Sequence, residues 1–221
     1  MNAAEIMARV DHTLLLPTAT KAQILAAADE AIEFGAASVC IPPCHVHAVK
    51  AHVGDRMKVC TVIGFPNGYE ASAVKLFEAE NALADGADEL DVVINQGKLK
   101  DKETRAVTRE LTDIKKAAGK HIVKVIVETC VLDEGEKRSV CTIVPDSGAD
   151  FIKTSTGFAS GGATFSDIAL FRSLLPNGFG IKASGGIQTL ADAERFLALG
   201  ATRLGTSRIV KLLQEKASEG Y

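Results

Sequence analysis

Four short apolar runs of this chain each carry one ionisable residue where an unbroken stretch of Val, Ile and Leu is the norm. They read Glu89-Leu90-Asp91-Val92-Val93-Ile94, Ile122-Val123-Lys124-Val125-Ile126-Val127, Phe151-Ile152-Lys153-Thr154 and Gly180-Ile181-Lys182-Ala183. Positions 91, 124, 153 and 182 are separated by 33, 29 and 29 residues. One strand–helix–strand step of a parallel α/β fold takes roughly 30 residues. The four residues are therefore expected at equivalent places on four successive parallel strands. Strands covered on both faces are apolar throughout, and a lone charge there is costly unless it is paired or used. Three ammoniums and one carboxylate gathered at one place point to amine chemistry.

The same period runs through the rest of the chain. Gly35-Ala36-Ala37-Ser38, Gly86-Ala87-Asp88, Gly148-Ala149-Asp150 and Gly200-Ala201-Thr202 each follow a helix-periodic stretch and precede an apolar run. Glycine just past a helix end takes the left-handed conformation that stops it. Strands are predicted at 11–15, 37–41, 58–63, 88–94, 121–127, 150–154, 179–183 and 202–205. Helices are predicted over 21–34, 44–53, 70–85, 101–118, 134–147, 166–175, 189–199 and 206–217, with Thr20/Gln23 as a capping box and Thr189 as a cap. Eight strands alternating with eight helices close a (β/α)8 barrel, here a single domain over residues 1–221 with a short N-terminal helix. An open doubly wound sheet is the rival, disfavoured because no G-x-G-x-x-G follows the first convincing strand.

Bulk properties exclude several classes. A net charge of −3 gives no reason to expect nucleic acid or an anionic membrane as partner. No apolar run approaches the roughly 18 residues of a membrane span, and Glu5, Arg9 and Asp11 stand where a signal peptide needs an apolar stretch. Five cysteines without framework spacing fit reduced thiols in the cytoplasm. Cys40, Cys44, His45 and His47 lack a usual zinc spacing. No metal or cofactor is expected.

In a barrel of this kind the strand C-termini and the loops after them hold the active site. Lys153 and Lys182 belong on neighbouring strands about 4.8 Å apart. A nearby cation and partial desolvation both lower a lysine pKa, and an uncharged amine is what attacks a carbonyl to form a Schiff base. The pattern does not say which of the two is the nucleophile. Asp91 fits a proton shuttle or a counter-ion, and Lys124 a supporting cation. Cys40, at a strand end, is either a pocket-lining thiol or a small core residue. Ser184-Gly185-Gly186 after the seventh strand and Gly205-Thr206-Ser207 after the eighth match the place where such barrels bind phosphate. Thr154-Ser155-Thr156-Gly157 can complete the cup.

These segments resemble the deoxyribose-phosphate aldolase family, class I aldolases built on a (β/α)8 barrel. The resemblance is carried by Asp91-Val92-Val93-Ile94-Asn95, Lys153-Thr154-Ser155-Thr156-Gly157, Lys182-Ala183-Ser184-Gly185-Gly186 and Arg203-Leu204-Gly205-Thr206-Ser207, with Val123–Thr129, Asp11–Leu15 and Val39–Ile41 in support. It implies reversible cleavage of 2-deoxy-D-ribose 5-phosphate to acetaldehyde and D-glyceraldehyde 3-phosphate, without cofactor, in a homo-oligomer (dimer or tetramer). It makes Lys153 the imine-forming lysine, Lys182 the neighbour that depresses its pKa, and Asp91 part of the proton relay. Substrate contacts are implied at Thr13, Cys40, Lys124, Thr156, Gly157, Gly185, Gly186, Thr206 and Ser207. Some members end in a tail whose last tyrosine moves the proton, which makes Tyr221 a candidate. Some carry a lysine after the Thr-Gly where this chain has Phe158, so its phosphate affinity is expected to be lower or differently shared. An isomerase or epimerase on the same barrel would need a carboxylate base instead, and a binding-only barrel would show no turnover.

Overall fold

The computed structural model describes residues 1–219, with side chains through 215. Eight parallel strands close on themselves in sequence order: β1 (Val10–Thr13), β2 (Ser38–Ile41), β3 (Val59–Ile63), β4 (Glu89–Val93), β5 (Ile122–Ile126), β6 (Phe151–Lys153), β7 (Gly180–Ser184) and β8 (Arg203–Thr206), with β8 pairing back onto β1. The first strand, in which the polar Asp11, His12 and Thr13 follow Val10, pairs on both sides like the others. Around them lie α1 (Ala3–Met7), α2 (Lys21–Glu33), α3 (Val46–Val53), α4 (Ser72–Ala84), α5 (Gln96–Lys100), α6 (Thr104–Ala118), α7 (Glu134–Asp146), α8 (Phe165–Leu174), α9 (Leu190–Ala198) and α10 (Arg208–Glu219). This is the (β/α)8 barrel that the period predicts.

Local signals explain most boundaries. Thr20 and Gln23 form the expected capping box on α2, and Thr189 caps α9 with Asp192 as its partner. The helix expected over 101–118 starts three residues late, and a short unexpected helix stands before it. Asn95 caps the short α5 by accepting from Lys98 N, the chain turns through Lys102 at φ 61°, and α6 starts at Thr104. Pro42 and Pro43 delay α3: a single 3-10 turn, Pro43–His45, precedes it.

Outward-facing strand residues such as Val59, Val92, Val125 and Ile181 are fully buried under the helices. Behind β4 a buried ion pair, Lys75 Nζ to Glu110 Oε1 at 2.7 Å, ties α4 to α6, and Lys75 also donates to the Val93 carbonyl at 2.9 Å.

The register refines the expected equivalence of the four charges. Asp91 lies opposite Lys124, and Lys153 opposite Lys182. Between β5 and β6 the frame slips by two residues: Lys124 faces Phe151, and Lys153 faces Ile126. Closing eight tilted strands requires such stagger. Two residues are one inward-facing step, about 6.6 Å along the strand. Lys153 and Lys182 therefore sit one step nearer the C-terminal mouth than Lys124 does.

Candidate active site

Side chains alternate across a strand, and in this barrel the inward set is ionic. Lys153 Nζ donates to Asp91 Oδ2 at 2.8 Å, and Lys182 Nζ donates to the same oxygen at 2.7 Å. Lys124 Nζ donates to Asp91 Oδ1 at 2.9 Å and lies 2.6 Å from Glu89 Oε2 and 3.4 Å from Asp11 Oδ2. Lys182 also donates to Asp11. Arg203 spans Asp11 and Glu89, the latter at 3.0 Å. Ser38 Oγ donates to Asp11 Oδ1 at 2.8 Å, and Cys60 Sγ to Asp91 Oδ1 at 3.2 Å. Gly205 makes the room: a Cβ there would stand 3.0 Å from Lys182 Cε and closer still to Ser184 Oγ.

Four cations (Lys124, Lys153, Lys182, Arg203) thus face three carboxylates (Asp11, Glu89, Asp91), with one positive charge in surplus. Burial alone pushes Asp91 toward the neutral acid, but Lys124, Lys153 and Lys182 outweigh it and hold the carboxyl well below the usual range. Asp11 is held low in the same way by Lys124, Lys182 and Arg203. Burial works against the Lys124 and Lys182 ammoniums too, yet Asp11 and Asp91 keep both well above lysine's ordinary value. Burial, with Cys40 and Asp91 beside it, pushes the Cys60 thiol up. Lys153 differs from the other cations in its contacts. It touches one carboxylate oxygen, and it lies at the last residue of β6. Of the three lysines in this network, Lys153 is the one with the fewest carboxylate partners.

The expected pair, Lys153 and Lys182, is therefore brought together with Asp91 bridging them. Lys124 is fully buried among three carboxylates, away from the mouth. Cys40 is also fully buried; it lies opposite Cys60 in the β2–β3 pairing and under Leu15, Val62 and Phe65. Those three residues line a cavity of about 220 Å³, closed on one side by Phe158, whose ring meets Phe65 edge-on at 5.2 Å. Cys40 is thus beneath the cavity floor, which the strand-end position alone did not reveal. Thr13 is half-buried, its hydroxyl donating to the Asp11 carbonyl at 2.8 Å. Two sets, Cys40/Cys60/Asp91 and Asp11/Cys60/Glu89, bring ligand-type atoms within 4.8 Å of one another. The Lys124 ammonium already sits on both, 3.3 Å from Cys60 Sγ, and fills the place of a cation.

The loops after β6, β7 and β8 shape the remaining rim. Gly157, Gly185 and Gly186 all have positive φ (86°, 74° and 77°), which glycine adopts freely. Gly162 packs so closely on the Gly185 backbone that a Cβ would come within 2.5 Å of its carbonyl carbon. Thr206 Oγ1 accepts from Arg208 N at 3.0 Å at the start of α10, with Ser207 exposed between them. Backbone N–H groups at a helix start suit an anion. Tyr221 lies outside the described residues.

Asp11, Glu89, Arg203 and Cys60 complete the charge network and were given no role from sequence. Glu89 was within reach, since it stands two residues before Asp91 and so on the same face. Asp11 entered only as a charge near the N-terminus and as the first residue of the Asp11–Leu15 segment. Among the described residues no helix is long and apolar enough to cross a membrane.

Comparison with known proteins agrees with this architecture. Residues 5–207 match the family model described as DeoC/LacD family aldolase. A Clostridium botulinum (strain Eklund 17B / Type B) protein named deoxyribose-phosphate aldolase is 48% identical over 221 residues, covering 100% of both chains. One of the same name from Clostridioides difficile (strain 630) is 47% identical over 98% of this chain and 99% of its own. The structure of deoxyribose phosphate aldolase from Aeropyrum pernix, described as a unique tetramer, superposes with a TM-score of 0.90 at 35% identity, over 99% of this chain and 93% of that one. The chain belongs to the DeoC/LacD family of aldolases.

Proposed function

We propose that this aldolase cleaves 2-deoxy-D-ribose 5-phosphate reversibly to acetaldehyde and D-glyceraldehyde 3-phosphate, with Lys153 as its Schiff-base lysine. The uncharged Lys153 amine attacks the C1 aldehyde, and the carbonyl oxygen leaves as water to give an iminium. The proton of the C3 hydroxyl is withdrawn, the C2–C3 bonding pair flows into the iminium, and glyceraldehyde phosphate departs. The enamine left behind takes a proton at C2, and water releases acetaldehyde. The observation that carries this reading is the surplus cation: of the three lysines inside the barrel, Lys153 has one carboxylate contact against two for Lys182 and three for Lys124.

Asp91 remains a partner throughout, because the iminium nitrogen keeps the positive charge that its carboxylate already faces at 2.8 Å. A carboxyl held so firmly ionised serves better as counter-ion than as proton store, so the relay runs through water beside Asp91 and Lys182. Gly157, Gly185, Gly186, Thr206 and Ser207 would hold the phosphate, with Thr156 and Thr13 nearby for sugar hydroxyls and Tyr221 as a tail-borne proton carrier. The protein would work in the cytoplasm, consistent with five free thiols, and as a homo-oligomer.

A coupled assay of glyceraldehyde 3-phosphate release, with and without borohydride pretreatment in acetaldehyde, tests the reading. Turnover that borohydride abolishes supports it. Turnover that survives the treatment excludes an imine and favours a carboxylate-base mechanism.

A further inference from the structure

We propose that Glu128 is a positioning residue that fixes the substrate-facing loop after Lys153. This rests on the assignment of Lys153 as the imine-forming residue. Glu128 follows β5 and is buried, with a left-handed backbone (φ 57°, ψ 66°) that an L side chain rarely adopts. The turn aims its carboxylate at the neighbouring loop. Thr156 N donates to both carboxylate oxygens, at 3.3 and 3.2 Å, and the Thr156 hydroxyl donates to Oε2. Thr156 Oγ1 then accepts from Phe158 N at 3.1 Å. On either side the backbones are also tied: Val127 N donates to the Lys153 carbonyl at 3.0 Å, and Thr129 N to the Thr154 carbonyl at 2.8 Å.

A second clamp holds the other flank. Thr154 Oγ1 donates to the Ser184 carbonyl at 3.2 Å and accepts from Ser184 N at 3.1 Å. The loop from Thr154 to Phe158 is therefore gripped by β5 through Glu128 and by β7 through Thr154. Between the clamps Ser155 is fully buried, and its hydroxyl has no protein partner. A non-glycine residue keeps a left-handed backbone only where its surroundings enforce it, and such outliers gather at functional sites.

Lys153 itself is anchored by strand pairing and by Asp91, so imine formation with a small aldehyde does not need Glu128. Cleavage of the phosphosugar, which must be held along its length, does. Removing the acceptor frees the Thr156 N–H and hydroxyl, and misplacement of a contact by about 1 Å can cost on the order of 100-fold.

The test compares Glu128→Ala, Glu128→Gln and Thr156→Val, reading kcat and KM for 2-deoxyribose 5-phosphate alongside borohydride trapping of acetaldehyde. Expected are a loss of about 100-fold in kcat/KM for Glu128→Ala, acetaldehyde trapping on Lys153 within about twofold of the parent, and recovery of most of the loss in Glu128→Gln, whose amide oxygen still accepts from Thr156. The Ala and Val changes should combine to less than the sum of their separate effects, because both remove the bond between the Thr156 hydroxyl and the Glu128 carboxylate. A kcat/KM within about threefold of the parent in Glu128→Ala would overturn the proposal, as would an equal loss of turnover and trapping. If Glu128→Ala does not fold, the Gln and Val variants carry the same comparison: a Gln variant as impaired as a folded Val variant or worse refutes the hydrogen-bonding role. Trapping of the parent enzyme on another lysine would instead refute the Lys153 assignment, so the two failures are separable.

Discussion

Lys182→Met removes one of the four cations inside the barrel and leaves three facing three carboxylates. Lys153 and Lys182 both donate to Asp91 Oδ2, at 2.8 and 2.7 Å, so their nitrogens are no more than about 5.5 Å apart. At an effective dielectric of about 20, two unit charges at that distance repel by roughly 3 kcal/mol. That corresponds to about two pH units in proton release from the cluster. Methionine keeps the volume and the unbranched stem, while Asp11 retains Lys124, Arg203 and Ser38, and Asp91 retains Lys124 and Lys153. The assay is the initial rate of borohydride-trapped acetaldehyde adduct as a function of pH. The variant's profile should lie about two units to the alkaline side, with trapping near pH 7 down about 100-fold and the two proteins converging at high pH. A uniformly lower rate with an unshifted profile would refute the surplus-charge argument, and an unchanged profile would remove Lys182 from the mechanism.

Asp91→Asn takes the shared partner from three buried lysines. Breaking such a pairing costs about 3–5 kcal/mol, or roughly 6–20 °C in Tm at this size, and turnover should fall by several powers of ten with the fold intact; calorimetry and the coupled assay read both, and near-normal activity would exclude Asp91 from the chemistry. Thermal stability should be flat from about pH 6.5 to about pH 8.5, above which the buried Cys60 thiol, kept protonated in the fold but free to ionise in the unfolded chain, begins to cost stability. Asp11 and Asp91 are held low, so their contribution is complete above about pH 4 and is lost as pH falls through their lowered values. Lys124 and Lys182 are held high, so theirs is complete below about pH 10 and is lost only as pH climbs through the raised values. Burial lowers His12 despite its contact with Glu30 at 2.9 Å, so a mild loss should begin below about pH 6.5 and vanish in His12→Gln; calorimetry across pH checks all three limbs. Phe158→Lys should lower KM for the phosphorylated sugar about tenfold relative to 2-deoxyribose, the scale of one hydrogen bond to a charged group, and an unchanged ratio would place the phosphate elsewhere.

The barrel was legible because its period is written twice, in the Gly-Ala marks after helices and in the charges on every inward face from β4 to β7. Strand limits came within two residues, since the apolar runs end where pairing ends. What could not be read was how neighbouring strands align. The two-residue slip between β5 and β6, which separates Lys124 from Lys153 in depth, follows from barrel closure and leaves no mark in either strand's own residues. The network was half visible for a related reason. Asp91, Lys124 and Lys182 stood out against apolar neighbours, whereas Asp11 is followed by the polar His12 and Thr13, and Arg203 opens its strand after Thr202. Glu128 was hidden differently: its role depends on a backbone turn that no residue type announces.

The account stands most directly on where an aldehyde becomes attached. Incubation with acetaldehyde and borohydride, followed by peptide mass mapping, should place one N-ethyl group on Lys153 and leave Lys124 and Lys182 unmodified. Ethylation of Lys182 or Lys124, or no ethylated lysine in an active preparation, would contradict it.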